Sequence, residues 1–225
     1  MRPRRSKLTG PSKPIQYIQM HLSRAAVVSL LLCSGCGQSS SSPAQPQTSS
    51  EPYVHRATGF TFPATVGEFT RAQISEYNSE GTDVGVGYNL YTPTKQIAVT
   101  VFVYPAPLAV DASAQDKACA AQFESVKADI ERGHRDVHQI AESTIPSPAP
   151  NFDNAGKKAV YNYEDVFAGT AQPLRSEADL YCYVSGPWFV AYRTTTPKNT
   201  DYEPDLRRLM HDLTWPSGSK SAASS

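Results

Sequence analysis

The 225-residue sequence lacks the short motifs that identify common classes of enzymes and nucleotide-binding proteins. It contains no Gly-x-Ser-x-Gly nucleophile motif, no Gly-rich phosphate-binding loop, no His-Glu-x-x-His and no pair of Cys-x-x-Cys motifs. The pair Gly85 and Gly87 is too short to indicate a dinucleotide site. The sequence therefore predicts no catalytic residue and no cofactor.

Long apolar runs are also missing. Residues 25–32 form a run of only 8 residues, whereas a helix that spans a bilayer needs roughly 20. The run is preceded by Arg24 and followed by the small residues Ser34 and Gly35, which lead directly to Cys36. A positive charge, a short apolar region and small residues, in this order, are typical of a cleaved export signal.

This stretch resembles the cleavage and lipid-attachment site of bacterial lipoprotein precursors. The resemblance implies that the signal peptide (residues 20–35) is removed, that Cys36 carries the lipid and that the rest of the chain is exported. Cys33 departs from the family pattern, which usually has an aliphatic residue at that position. An ordinary secretory signal that is cleaved nearby, or a protein with an apolar N-terminal helix, remains an alternative.

The residues on either side of the signal peptide add two expectations. Residues 1–19 are basic and proline-containing without apolar periodicity, so we interpret them as a disordered extension or as sequence ahead of the true initiator, Met20. Gly37 follows Cys36. In the lipoproteins of Gram-negative bacteria, a residue other than Asp at this position implies an outer-membrane destination.

The neutral overall charge hides an acidic exported part. Six of the 21 basic residues precede Cys36 and all 21 acidic residues follow it, so the chain from Cys36 onward has a net charge of −6. This balance argues against nucleic acid and against anionic lipid headgroups as electrostatic partners. The expected link to a membrane is therefore the lipid itself.

Only two cysteines, Cys119 and Cys182, lie in the part that is expected to fold. In an oxidising compartment two cysteines most simply form one disulfide, although two buried thiols are the alternative. The segment before this part, residues 36–52, is rich in Ser, Gln and Pro and is predicted to be a flexible tether. Residues 53–216 then have the length of one domain, and residues 217–225 are predicted to be a disordered tail.

Strand patterns dominate the predicted domain. Alternating or continuous apolar residues predict strands at residues 60–62, 69–75, 84–90, 97–104, 159–167, 174–184 and 188–195. Helical periodicity predicts a long helix over residues 114–132, capped by Asp111 or Ser113, and a short helix over residues 201–213. The fold class is therefore α+β: a twisted, mainly antiparallel sheet with the long helix packed on one face and a short C-terminal helix. In the order of its elements this resembles the PsbP/Mog1-type sandwiches.

Two groups of residues are candidates for binding. His134, Asp136 and His138 would share one face of a strand, and the two histidines one face of a helix, so they could hold zinc or copper. The alternative is a solvated connection after the long helix. A second hypothesis is an exposed aromatic surface for a sugar or a partner protein, against the alternative that tyrosine simply favours strands; its members are Tyr161, Tyr163, Tyr181, Tyr183 and Tyr192.

We expect a membrane-anchored envelope protein of a binding or accessory type. Its partners would be the membrane, through the lipid, and an envelope protein or a glycan. The alternative is an envelope enzyme, such as a hydrolase, with catalytic carboxylates that no motif identifies. Candidates for them are Glu164, Asp165, Glu177 and Asp179.

Overall fold

The computed structural model describes residues 50–148, 155–213 and 215. The predicted signal peptide, Cys36, most of the tether and the tail lie outside these residues. The described part contains a long and a short helix, α1 (Ala112–Gly133) and α2 (Glu203–Asp212). Its strands are β1 (Tyr53–Val54), β2 (Thr61–Phe62), β3 (Thr65–Val66), β4 (Phe69–Glu76), β5 (Val84–Tyr91), β6 (Gln96–Pro105), β7 (His138–Ile145), β8 (Gly156–Phe167), β9 (Thr170–Cys182) and β10 (Trp188–Pro197).

One antiparallel sheet organises the molecule. Eight strands run in the order β3-β4-β5-β6-β10-β9-β8-β7, and β1 and β2 form a separate hairpin. Strand β6 lies in the interior of the sheet, as its apolar sequence predicted, and every second residue from Ile97 to Val103 is buried on one face. The predicted α+β class, with one long helix and a short C-terminal helix, is confirmed.

Both faces of the sheet are covered. A helix-side core lies under α1 and contains Phe123 and Ile130 of that helix. A C-terminal core lies on the other face, under α2 and Trp215, where Leu206, Leu209 and Met210 of α2 are buried. Trp215 donates a hydrogen bond from Nε1 to the hydroxyl of Tyr192, at 3.1 Å.

Helix α1 begins where its capping residue was expected. The Asp111 carboxylate accepts a hydrogen bond from the backbone N–H of Ala114 at 2.8 Å, which satisfies one of the free donors of the first turn. Phe123 lies on the buried side of the helix, together with Val126 and Ile130, whereas Ala121 is exposed. A phenylalanine buries far more apolar area than an alanine, so it determines how the helix is rotated.

The disulfide between Cys119 and Cys182 joins α1 to the end of β9. This pairing was predicted from the cysteine count. Val184 does not share the face of Cys182 and lies in the C-terminal core. The alternation of side chains between the two faces ends at Tyr183, because a φ of 56° places this residue in the left-handed region and the regular strand stops before it.

The strand patterns missed the long strand β7 as well as the two-residue strands β1 and β3. β7 pairs with β8 at the edge of the sheet, and its residues 138–144 are all exposed. A strand without a buried face has no apolar alternation for a sequence pattern to detect. Tyr77 packs closely over Gly85 of β5, where an added Cβ would lie 2.9 Å from the Tyr77 hydroxyl.

Candidate functional site

The predicted tyrosine surface is wrong. Tyr161 and Tyr163 are buried in the helix-side core, whereas Tyr181 and Tyr192 are buried in the C-terminal core, on the opposite face. The reason is the register of the sheet: Tyr161 lies opposite Ser176 on β9, so it points away from the face that carries Tyr181. Only Tyr183 is partly exposed, and its hydroxyl donates a hydrogen bond to the Pro107 carbonyl at 3.0 Å.

The three candidate metal ligands are not brought together. Nδ1 of His134 lies 2.8 Å from a carboxylate oxygen of Asp165, and its ring stacks on Tyr163 with a centroid distance of 4.0 Å. Asp136 has a left-handed φ of 49° in the turn before β7, and His138 is exposed at the start of that strand. Within the described ranges, no group of three or more His, Cys, Asp or Glu side chains could hold a metal ion.

His134 instead forms a pair with Asp165 at the end of α1. Burial lowers the pKa of His134, and the hydrogen bond with Asp165 opposes this effect without cancelling it. The side chain of His134 is 10% exposed, and its ring packs on Tyr163 of the helix-side core. The sequence could not indicate this pair, because its members are 31 residues apart.

Two carboxylates converge in the C-terminal core. Glu177 and Asp179 lie on the same face of β9 and are only 3% and 1% exposed. The Glu177 Oε2 atom accepts a hydrogen bond from the Tyr202 hydroxyl at 2.5 Å and lies 2.9 Å from Nζ of Lys158. We call these four residues the buried acid cluster. Through Glu177, the cluster connects β9 to Lys158 on the neighbouring strand β8 and to Tyr202, the residue before α2.

The buried acid cluster has one lysine for two carboxylates. Burial raises the pKa of Asp179 well above its ordinary value, and the negative charge of Glu177 raises it further. Oδ1 of Asp179 has no hydrogen-bond partner among the residues that the structure describes. Asp179 therefore keeps its proton at pH values where an exposed aspartate has lost it, which balances the charge of the cluster.

A carboxylic acid beside a carboxylate is also the composition of a general acid and base pair. Such a pair must reach a substrate, whereas the side chains of Glu177 and Asp179 are almost completely buried. The other two candidates do not join them. Glu164 is exposed on β8, and Asp165 is bound to His134.

A shallow cleft opens at the end of the sheet where β5 meets β6. Its volume is about 540 Å³, and it is lined by Thr94, Lys95, Gln172, Pro173, Pro197, Lys198, Asn199, Thr200 and Asp201. Nζ of Lys95 forms an ion pair with Asp205 at 2.6 Å, which fixes the β5–β6 turn to the first turn of α2. The cleft could not be predicted from local sequence patterns, because its residues come from the β5–β6 turn, the start of β9 and the end of β10 with the segment that follows it.

No helix in the described part of the chain is long and apolar enough to cross a membrane. The predicted lipid-attachment residue, Cys36, lies outside the described residues.

Comparisons with known proteins identify no family. No family model matches the sequence, and no curated protein matches it. Among solved structures, the chain is similar to the solution structure of cyanobacterial PsbP (CyanoP) from Synechocystis sp. PCC 6803, with 12% identity and a TM-score of 0.38. The match covers 76% of this chain and 94% of that chain. A TM-score of this size is too low to support an argument about function.

Proposed function

We propose that the chain is an exported, lipid-anchored protein of the bacterial envelope with a binding or accessory role. The observation that carries the proposal is the Cys119–Cys182 disulfide, which closes 63 residues of sequence. Disulfides persist in oxidising compartments and are rare in the cytosol. The disulfide uses both cysteines of the folded domain, which leaves Cys36 as the thiol available to a lipid.

The lipid would hold the domain on a membrane that faces the periplasm or the exterior. In a Gram-negative organism Gly37 would direct it to the outer membrane. One acyl chain gives only marginal anchoring, and stable anchoring takes two or more. The anchor therefore has to be a multiply acylated cysteine of the lipoprotein type.

The described residues support a binding role better than they support hydrolytic activity. The carboxylates of Glu177 and Asp179, which converge in the C-terminal core, are buried, and Glu177 is already engaged by Lys158 and Tyr202. A hydrolase would need at least one of the two acids at a surface that a substrate can reach. The surface of the described residues offers instead a shallow cleft and an exposed edge strand, β7.

Metabolic labelling with radioactive palmitate tests the anchor. We expect the wild-type chain to take up the label and to sediment with membranes, and Cys36→Ser to lose the label and to appear in the soluble exported fraction. Cys33→Leu is the matched control, because it removes the other cysteine of this stretch and places there the aliphatic residue that the family pattern usually has. Label that persists in Cys36→Ser would contradict the proposal.

In-cell crosslinking followed by mass spectrometry tests the accessory role. A discrete protein partner that is found with the wild type and lost with Cys36→Ser would support a role in a membrane complex. The same diffuse background from both chains would contradict a protein partner, and the search would then turn to glycans or small molecules.

A further inference from the structure

The loop between β6 and α1 exposes two aliphatic side chains almost completely. Leu108 is 92% exposed and Val110 is 97% exposed, whereas the next most exposed large apolar residue in the described ranges, Val166, is 64% exposed. Large aliphatic residues that stand together in solvent mark an interaction surface more often than single ones do. We call residues 107–110 the apolar loop.

The apolar loop is held out from the domain by contacts on both sides. Before it, the backbone N–H of Ala106 donates a hydrogen bond to the Pro187 carbonyl at 2.7 Å. Within it, the Pro107 carbonyl accepts a hydrogen bond from the Tyr183 hydroxyl at 3.0 Å. After it, Asp111 caps α1. Because its ends are fixed, the loop presents Leu108 and Val110 outward and does not fold them back onto the core.

The shape of the apolar loop favours a lipid surface over a protein as the structure that it contacts. Leu108 and Val110 stand on a short projecting loop and do not line a groove, so a partner protein would need a matching pocket. A fluid lipid surface needs none. The residues from Cys36 up to, but not including, the first described residue, Ser50, number 14, and can span at most roughly 50 Å when extended. A domain of this size has a radius of gyration of roughly 15 Å, so the anchor allows any side of it to reach the membrane.

We propose that the apolar loop inserts Leu108 and Val110 into the lipid surface to which Cys36 anchors the chain. This inference rests on the proposed function, because the anchor supplies the proximity. Burying one aliphatic side chain completely changes a partition coefficient by at least about tenfold. Two such side chains are too few to bind a membrane firmly from free solution. A flexible tether that gives an effective concentration on the order of millimolar makes the same contact effective.

The test uses the full lipidated protein in phosphatidylcholine vesicles. Uncharged vesicles avoid repulsion from the acidic chain, whose net charge from Cys36 onward is −6. An environment-sensitive fluorophore is attached to the free thiol of Leu108→Cys. Val166→Cys carries the same label as the matched control, because Val166 is an exposed aliphatic residue on β8, at the opposite end of the sheet. Both variants are first checked for an unchanged melting temperature.

We expect the Leu108→Cys label to shift to the blue and to be quenched by brominated lipids, and the Val166→Cys label to do neither. If both labels report water while the protein floats with the vesicles, the loop contact is overturned and the anchor stands. If the protein does not float, the anchor and the loop contact both fail. A blue shift that appears only after envelope proteins are added would overturn the lipid contact in favour of a protein partner.

Discussion

Replacing Asp179 by Asn tests the reasoning about the buried acid cluster. The asparagine amide has nearly the shape of the protonated carboxyl but cannot ionise. Asp179 is 1% exposed, and burial followed by the charge of Glu177 raises the pKa of its carboxyl well above the ordinary value. The substitution should therefore preserve the contacts of the neutral form and remove the dependence on pH that ionisation brings.

The sign of this dependence follows from proton linkage. In the unfolded chain Asp179 loses its proton near pH 4, whereas in the folded chain it holds the proton to a higher pH. Between these two pKa values the folded state binds one more proton, so stability falls as the pH rises through this window. One group contributes a slope of about 1.4 kcal/mol per pH unit.

The assay is urea unfolding of the oxidised protein, followed by tryptophan fluorescence, at several pH values from 4 upward. We expect the free energy of unfolding of Asp179→Asn to fall less steeply with pH than that of the wild type, by about 1.4 kcal/mol per unit within the window. Asp116→Asn is the matched control, because it makes the same change of charge at an exposed position of α1. Parallel curves for the wild type and Asp179→Asn would refute the account of the cluster.

The other stability predictions concern the backbone and the disulfide. At Gly156 an added Cβ would lie 2.5 Å from the ring of Tyr181, so Gly156→Ala should lower the free energy of unfolding by about 1–3 kcal/mol. Gly87→Ala is the control and should lower it much less, because an added Cβ there has no neighbour nearer than 3.8 Å. Equal losses for the two variants would contradict the close approach at Gly156. Replacing Cys119 and Cys182 together by serine should lower the free energy of unfolding, measured with urea, by about 4 kcal/mol. Under reducing conditions the wild type should lose the same stability, so a difference between the two proteins that persists there would contradict the disulfide as its cause.

The elements that the sequence predicted well are those with one buried face. In β6 and α2 the apolar residues recur at the spacing of the element, because burial of that face stabilises it. The apolar patterns failed for strands with no buried face and for strands with two buried faces. β7 has no buried face to create a pattern. The tyrosine-bearing strands are buried on both faces, so alternation alone did not show which side each residue points to.

The candidate sites were harder to predict than the fold because they depend on register. Glu177 and Asp179 could be placed on one face of a strand from their spacing alone. Their partners, Lys158 on β8 and Tyr202 before α2, follow from how the strands pair, which a sequence pattern does not determine. His134 could not be assigned to Asp165 for the same reason.

The mass of the N-terminal peptide of the mature protein tests the central proposal most directly. The protein is purified from the membrane fraction and cut with trypsin, and its first peptide should run from Cys36 to Arg56, because no Lys or Arg lies between them. The account predicts a peptide that begins at Cys36 and carries the added mass of a multiply acylated cysteine. An N-terminus at any other residue, or an unmodified Cys36, would contradict it.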